Sequence, residues 1–262
     1  MKRLSFEYTT TVDFSSPVTD HFFVLRCLPA SGNGQRVDAW LALDPDVPFA
    51  EQADGFGNRL VVGSIAREHS SFSYRVSGTA EVDLDRREPC EAHPVFRYES
   101  PLARMSDGLA RLLAESGVAA AGAREEAPSV EECRRLAGVV HGALRYEPGS
   151  TTVATTAAEA FAQGAGVCQD FAHVLVALLR AAGAPARYVS GLTVGEGATH
   201  AWAQAHVGGR WVGFDPTRGV DEDDGYVAIA VGRDWSDCPV ERGTFLGSAD
   251  QTQTVFMRVE EE

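Results

Sequence analysis

The sequence predicts an α+β protein, with an antiparallel β-sandwich at the N-terminus and a second domain whose helices precede its strands. Two observations lead to this class. Residues 1–88 contain short segments in which apolar and polar residues alternate, separated by turn-forming residues and without helical periodicity. From residue 89 onward, alanine- and leucine-rich segments with helical spacing come first and strand-like segments follow. This grouping of elements disfavours a parallel βαβ fold, in which helices and strands would alternate.

The N-terminal region has the pattern of a small antiparallel sandwich. Three of its segments alternate apolar and polar side chains, as half-buried strands do. These are residues 4–9, 37–43 and 71–76. Segments rich in glycine, proline, asparagine and aspartate separate the strands, at residues 31–34, 44–46 and 54–58. The polar segment 85–89 ends in a proline, so we place the domain boundary after residue 88.

The second domain, residues 89–262, is expected to form helices first and strands afterwards. The helices are expected at residues 103–116, 130–144, 156–163 and 171–182. Ser129 and Glu132 fit a capping box at the start of the second helix, and Gly164 and Gly183 end the third and fourth. The strands are expected at residues 187–193, 201–207, 211–214, 226–231 and 252–259.

Composition disfavours several classes of function. The 262 residues include 23 Lys+Arg and 37 Asp+Glu, which gives a formal net charge of −14. Surfaces that bind nucleic acids or anionic membranes need clustered positive charge. No segment approaches the roughly 18 apolar residues of a membrane span, and Glu7 interrupts any apolar core of a secretory signal. We therefore expect a cytoplasmic protein with no nucleic-acid or membrane partner.

The cysteines and histidines do not predict a metal site or a cofactor. The five cysteines are an odd number, are irregularly spaced and form no Cys-x-x-Cys pair, so neither a disulfide framework nor a zinc site is indicated. His200 and His206 would lie about 20 Å apart on one strand, which is too far for a shared ion. We expect His173 to pack on its helix.

One cysteine, Cys168, lies where an apolar helix is expected to begin, directly after a turn containing Gly164 and Gly166. Free backbone N–H groups and the helix dipole favour a thiolate at such a position, and the same N–H groups can receive an oxyanion. The alternative is a small buried side chain without chemistry, which is the more common role of a lone cysteine.

Two further residues complete a catalytic set. His200 begins a strand, and Asp215 ends the next one, where Pro216 fixes the chain direction. A hairpin through Gly208 and Gly209 could place Asp215 beside His200. A histidine can activate a thiol and protonate a leaving amine near neutral pH, and a carboxylate orients the imidazole.

Three sequence blocks resemble the core of the transglutaminase-like superfamily, in its bacterial branch. They are residues 166–173, 199–202 and 214–217. Further segments resemble the strand after the cysteine helix, the tail of that branch and its N-terminal β domain. They are residues 185–191, 232–237, 242–245, 25–29, 35–36 and 54–58.

The resemblance implies a papain-like catalytic domain with a triad of Cys168 as nucleophile, His200 as acid and base, and Asp215 as the residue that orients His200. It implies acyl transfer at an amide bond of a peptide or protein through a thioester. Water as acceptor gives hydrolysis, which we prefer, and an amine acceptor gives transamidation. Gln204 departs from the glutamate that many relatives have there, which we interpret as a difference in substrate contact or in the hairpin.

Other interpretations remain open. The fold could serve a non-catalytic binding protein, although no triad residue is lost, or Cys168 could be a redox-sensing thiol. The acidic run 221–224 is either a solvated loop or a rim of the cleft that favours basic substrates, including an amine acceptor. Tyr146 is either a packed side chain or an oxyanion donor, and we expect an ion pair between Arg233 and Asp234. The oligomeric state is not predicted.

Overall fold

The computed structural model describes residues 1–123 and 126–262, and the chain has the predicted α+β fold. The α-helices in this part of the chain are α1 (Asp107–Glu115), α2 (Val130–Ala143), α3 (Ala157–Gln163) and α4 (Cys168–Ala181). The strands are β1 (Lys2–Leu25), β2 (Gln35–Asp44), β3 (Phe49–Ala53), β4 (Arg59–Ile65), β5 (His69–Val82), β6 (Arg145–Tyr146), β7 (Ala165–Gly166), β8 (Ala186–Thr193), β9 (Gly195–Gly197), β10 (His200–Val207), β11 (Arg210–Asp215), β12 (Val220–Asp221), β13 (Tyr226–Gly232), β14 (Glu241–Leu246) and β15 (Gln251–Glu261).

Caps determine where the helices begin. The predicted capping box of α2 is confirmed, since the Ser129 N–H donates to Glu132 over 2.8 Å and the Glu132 N–H donates to the Ser129 hydroxyl over 3.2 Å. Helix α1 begins at residue 107 rather than 103, because the hydroxyl of Ser106 caps it by accepting from the N–H of Leu109. Helix α4 begins at Cys168, three residues earlier than predicted.

The first sheet is an antiparallel half-barrel around the long strand β1. Residues 2–13 of β1 pair with β5, and residues 4–14 pair with β15 on the other side. After an irregularity in the register, residues 21–25 pair with β4 and residues 22–25 with β14. This change of partners lets one strand curve around a core. The buried side chains of β1 alternate along the strand from Leu4 to Phe14, so one face of the sheet is covered.

The C-terminal strands join this first sheet. Because β15 pairs with β1 from Leu4↔Glu261 to Phe14↔Gln251, residues 251–261 pack with the N-terminal region. We assigned them to the second domain, 89–262, from chain order, because a strand pattern does not show which sheet edge the strand will join. The division after residue 88 stays a prediction.

The second sheet carries the cysteine helix. Its five strands are antiparallel in the order β12-β11-β10-β8-β13. Helix α4 packs against β10 and β8, and every side chain from Asp170 to Arg180 is buried. An element buried on all sides is held rigidly, which suits the helix that presents Cys168. None of the helices in the described part of the chain is long and apolar enough to cross a membrane.

Two amide side chains join the two sheets. Asn58 accepts from the N–H of Val231 over 2.7 Å and donates to the carbonyl of the same residue over 2.8 Å. Gln35 forms the same pair of bonds with Ala228, at 2.9 and 2.8 Å. Val231 and Ala228 lie on β13, the edge strand of the second sheet, so these amides satisfy backbone groups that an edge leaves unpaired.

Candidate active site

A tight turn places Cys168 at the first position of α4. Gly164 ends α3 in the left-handed conformation with φ 69°, and β7 then pairs in parallel with β6. Val167 is extended, and α4 starts at the next residue. The backbone N–H of Cys168 has no hydrogen-bond partner within the described residues, as expected for a donor at a helix start. The thiol therefore lies at the positive end of the helix dipole.

The buried carboxylate of Asp170 holds this turn in place through hydrogen bonds. Oδ2 of Asp170 accepts from the N–H of Val167 over 2.8 Å and from the hydroxyl of Thr151 over 2.6 Å. Burial raises the pKa of Asp170, and these bonds oppose the shift. A Cβ at Gly166 would lie 2.7 Å from Oδ2 of Asp170, so the glycine is required for the close approach.

The imidazole of His200 stands between Asp215 and Cys168. Its Nε2 lies 2.7 Å from Oδ2 of Asp215, which leaves Nδ1 for the thiol. Burial disfavours the charged ring, but hydrogen bonds with Asp215 and then Cys168 outweigh it and raise the pKa of His200 to about 9. The imidazolium form is therefore favoured at neutral pH, as a thiolate–imidazolium pair requires.

Asp215 is fully buried and accepts four hydrogen bonds. Oδ1 accepts from the N–H groups of Thr217 and Arg218 over 3.0 and 3.1 Å. Oδ2 accepts from His200 and from the hydroxyl of Tyr226, which is 2.8 Å away. Burial opposes ionisation, but the bonds to His200, Tyr226 and the backbone outweigh it and lower the pKa of Asp215. The carboxylate is thus held ionised.

Tyr226 and Arg218 are the site residues that sequence reasoning missed. Besides binding Asp215, the ring of Tyr226 stacks edge-on against Trp202 at 5.2 Å between centroids. The guanidinium of Arg218 donates to Thr193 over 2.8 Å and lies 3.8 Å from Oδ2 of Asp215. Tyr226 falls in a predicted strand, and no local signal distinguished its hydroxyl from that of a packed tyrosine.

The triad opens into a cavity of about 250 Å³ between the two sheets. Cys168 and His200 line one wall, with Gln169 and Trp235 beside them. The opposite wall belongs to the first sheet, and its lining residues are Thr10, Tyr74, Glu241, Gln253 and Val255. A larger cavity of about 1040 Å³ contains none of the triad residues and lies around Arg187 and Trp211. The smaller cavity is the candidate active site because the reactive groups face it.

The acidic run 221–224 does not rim this cavity. Asp221 pairs with Arg134 at 2.7 Å, and Asp224 pairs with the N-terminal amine, also at 2.7 Å. Glu222 forms a buried 2.7 Å ion pair with Arg87. These acids connect segments of the chain, so the interpretation as a substrate-selecting rim is wrong, and only Asp223 matches the loop interpretation.

Gln204 is a packing residue rather than a substrate contact. It is fully buried, accepts from Arg187 over 2.8 Å and donates to Glu222 over 2.9 Å. The guanidinium of Arg187 lies 4.2 Å from the ring centre of Trp211. The presence of Gln204 where many relatives have glutamate is therefore better explained as a difference within the hairpin than as a difference in substrate contact.

Two further expectations have different outcomes. His173 is buried in α4, as expected, and accepts from the N–H of Trp235 over 3.1 Å. Arg233 pairs with Asp237 at 2.7 Å and not with Asp234, whose side chain instead accepts from backbone N–H groups such as that of Leu102. The expected Arg233–Asp234 pair is therefore wrong, because adjacent residues of an extended segment point to opposite sides.

Tyr146 is exposed rather than packed in a core, with 54% of its surface accessible. Partial burial and then the charge of Cys168 raise the pKa of its phenol, and its side chain is not among those that line the cavity. As for metals, no group of three or more His, Cys, Asp or Glu side chains is placed to hold an ion within the residues described.

Models of known protein families match both the N-terminal and the C-terminal part of the chain. The model described as the transglutaminase-like superfamily matches residues 117–216, which include Cys168, His200 and Asp215. The model described as the bacterial transglutaminase-like N-terminal region matches residues 4–81. The first match includes α4 and strands β8, β10 and β11 of the second sheet, and the second match covers most of strands β1–β5 of the first sheet.

Relatives and a solved structure extend the similarity to the full chain. The uncharacterised Mycobacterium leprae protein ML0607 is 30% identical over 269 residues, which cover 94% of each chain. The uncharacterised Mycobacterium tuberculosis protein Rv2569c is 38% identical over 141 residues, 48% of this chain and 45% of that one. The crystal structure of a proposed cysteine protease from Cytophaga hutchinsonii superposes with a TM-score of 0.78 at 27% identity, covering 99% of this chain and 90% of the other.

Proposed function

We propose that this chain, which belongs to the transglutaminase-like superfamily, hydrolyses amide bonds of peptides or proteins through a thioester on Cys168. The family and the structural match support a cysteine-dependent enzyme in general. The observation that carries the proposal is the position of His200, whose Nε2 binds Asp215 at 2.7 Å while the other side of the ring serves the thiol.

The first half-reaction forms the thioester. The sulfur of Cys168 bonds to the carbonyl carbon, and the carbonyl oxygen becomes an oxyanion that the N–H groups at the start of α4 stabilise. The oxyanion then collapses, the C–N bond breaks, and Nδ1 of His200 gives its proton to the leaving amine. Asp215 keeps the ring oriented throughout.

The second half-reaction releases the acyl group. His200, now neutral, takes a proton from water, and the resulting hydroxide attacks the thioester carbon. The C–S bond breaks, a carboxylic acid leaves, and Cys168 and His200 return to the thiolate–imidazolium pair. A primary amine in place of water would give a transamidated product, and the same residues would act in the same order.

Isotope incorporation tests the proposal and separates the two outcomes. The chain is incubated with a tryptic peptide library in ¹⁸O water, with and without dansylcadaverine. Hydrolysis predicts new C-termini that carry ¹⁸O, and these should be absent with Cys168→Ala or His200→Ala and retained with Cys90→Ser, whose thiol is exposed outside the cleft. Incorporation of dansylcadaverine without new acids would overturn hydrolysis in favour of transamidation, and neither product would favour a binding protein. The cytoplasmic location stays a prediction.

A further inference from the structure

The wall of the cleft opposite the triad is built from three adjacent strands. Tyr74 of β5, Thr10 of β1 and Val255 of β15 are direct cross-strand neighbours, so their side chains lie in one row on one face of the first sheet. Gln253 lies two residues from Val255 and therefore on the same face. All four line the cavity that Cys168 and His200 face.

One acidic side chain, Glu241, belongs to this wall. It begins β14, pairs with Leu25 at the far end of β1 and lines the same cavity. No lysine or arginine lines the cavity, and no ion pair of Glu241 is found within the described residues. The side-chain amide of Gln253 donates a 3.3 Å hydrogen bond to Glu241. A partly buried carboxylate thus lies in the cleft without a cation.

Glu241 is held in surroundings that disfavour its charge. Burial raises the pKa of Glu241 to about 7, although the bond from Gln253 opposes the shift. A carboxylate in this situation gains most from a partner that brings a positive charge, because the charge replaces the lost hydration.

The hydroxyl of Tyr74 is a second unsatisfied group in the same wall. Tyr74 is 1% exposed, and its hydroxyl has no hydrogen-bond partner in the described structure. Burial and then the charge of Glu241 raise the pKa of Tyr74 well above its usual value, and the side chain of Thr10, its cross-strand neighbour, opposes the shift. Buried polar atoms are rarely left unpaired, so this hydroxyl has the capacity for a further hydrogen bond.

We propose that Glu241, Gln253 and Tyr74 form a subsite for a primary ammonium group of the substrate. Together they offer a carboxylate, an amide oxygen and a hydroxyl, and an ammonium has three N–H donors to match. The ammonium belongs to a lysine side chain or to the N-terminus of a peptide, two sources with the same chemistry. This inference rests on the proposed function, because the subsite faces the nucleophile, and it adds a preference for cationic substrates.

Three peptide vinyl sulfones that alkylate an active-site thiol test the subsite. The acetyl-Ala-Lys probe carries an ammonium group on its lysine side chain, and the Ala-norleucine probe carries one at its free N-terminus. The acetyl-Ala-norleucine probe carries no ammonium group. The rate of Cys168 labelling is read by intact-protein mass spectrometry. We expect at least one cationic probe to react about tenfold faster than the neutral probe, the factor that about 1.4 kcal/mol of recognition provides. The faster of the two identifies the source of the ammonium.

Variants assign the preference to these side chains. Glu241→Gln should bring the ratio of cationic to neutral labelling close to one, Tyr74→Phe should lower it in part, and Glu241→Asp should retain part of it. The controls are Glu7→Gln, an outward-facing acid on β1, and Tyr8→Phe, which also lacks a hydroxyl partner but lies outside the cavity. Both controls should keep the wild-type ratio.

The outcomes separate this inference from the proposed function. Equal labelling by all three probes, or a preference that survives Glu241→Gln, would overturn the subsite. Iodoacetamide, which is small and neutral, reports on the thiolate alone. If it labels Cys168 no faster than Cys90 and His200→Ala has no effect, the catalytic proposal falls and the subsite falls with it.

Discussion

Tyr226 donates its hydroxyl proton to Oδ2 of Asp215 over 2.8 Å, and this is the oxygen that His200 also contacts. Burial raises the pKa of Tyr226, so its hydroxyl stays protonated and remains a donor across the range in which the enzyme would work. Tyr226 is therefore a positioning residue, since it acts on His200 only through the carboxylate.

Tyr226→Phe should lower kcat/KM about 10- to 100-fold, because a hydrogen bond to a charged group contributes about 1.5–3 kcal/mol. The loss should appear mainly in kcat, because the imidazole is oriented less precisely, and the upper limb of the pH profile should shift to higher pH, because the hydroxyl no longer offsets the charge of Asp215 beside the imidazolium. A pH–rate profile beside that of Tyr98→Phe, an exposed tyrosine, is the measurement. If the upper limb of the pH profile is not shifted in Tyr226→Phe, the role of Tyr226 is limited to packing.

Asp215→Asn tests the raised pKa of His200. The pKa of about 9 in the folded state lies above the ordinary 6.5, so the stabilisation of the imidazolium is complete below pH 6.5 and is lost as pH rises through 9. Without the carboxylate, the upper limb of the alkylation rate of Cys168 should move well below 9. Turnover should fall by about 10³–10⁴, the scale known for triads. A limb that stays near 9 in the variant would contradict the role given to Asp215.

The three residues of the proposed triad could be singled out from the sequence because each lies next to a local signal. Cys168 follows a glycine turn and precedes an apolar helix, His200 begins a strand, and Asp215 ends one beside a proline. A short hairpin connects the last two, so their contact needed no long-range information. For the same reason the capping box at Ser129 was predictable.

The remaining parts of the site depend on contacts between segments that are distant in the chain. Glu241 faces the cleft because β14 pairs with β1, more than two hundred residues away, and the sequence pattern predicts no strand at that position. The pairing of Asp221 with Arg134 likewise spans 87 positions. Charge runs show that a segment is polar, and they do not show which partners the fold will bring to it.

Gly166→Ala tests the turn that supports Cys168. Its Cβ would meet the Asp170 carboxylate at 2.7 Å, so Asp170 must move and release the N–H of Val167. We expect a destabilisation of about 1–3 kcal/mol from overpacking, together with slower alkylation of Cys168. Gly138→Ala is the control, because that glycine is exposed on α2 with open space around it, and it should stabilise the chain by about 0.5–1 kcal/mol. Equal melting temperatures for the two variants would contradict this account.

Asn58→Ala tests the connection between the sheets, on which the shape of the cleft depends. The substitution leaves the N–H and the carbonyl of Val231 unpaired and removes a 3.0 Å bond to Asp54, so the free energy of unfolding in urea should fall by about 2–3 kcal/mol. Gln52→Ala, an exposed amide on β3, should change it by less than about 0.5 kcal/mol. Glu241 lies on the wall of the cleft that the first sheet forms, and Cys168 lies on the opposite wall. Because Asn58→Ala weakens the connection between the two sheets, the variant should also lose part of its preference for cationic probes. A variant as stable as Gln52→Ala would mean that water satisfies the edge of β13 equally well, and that the amides do not hold the sheets together.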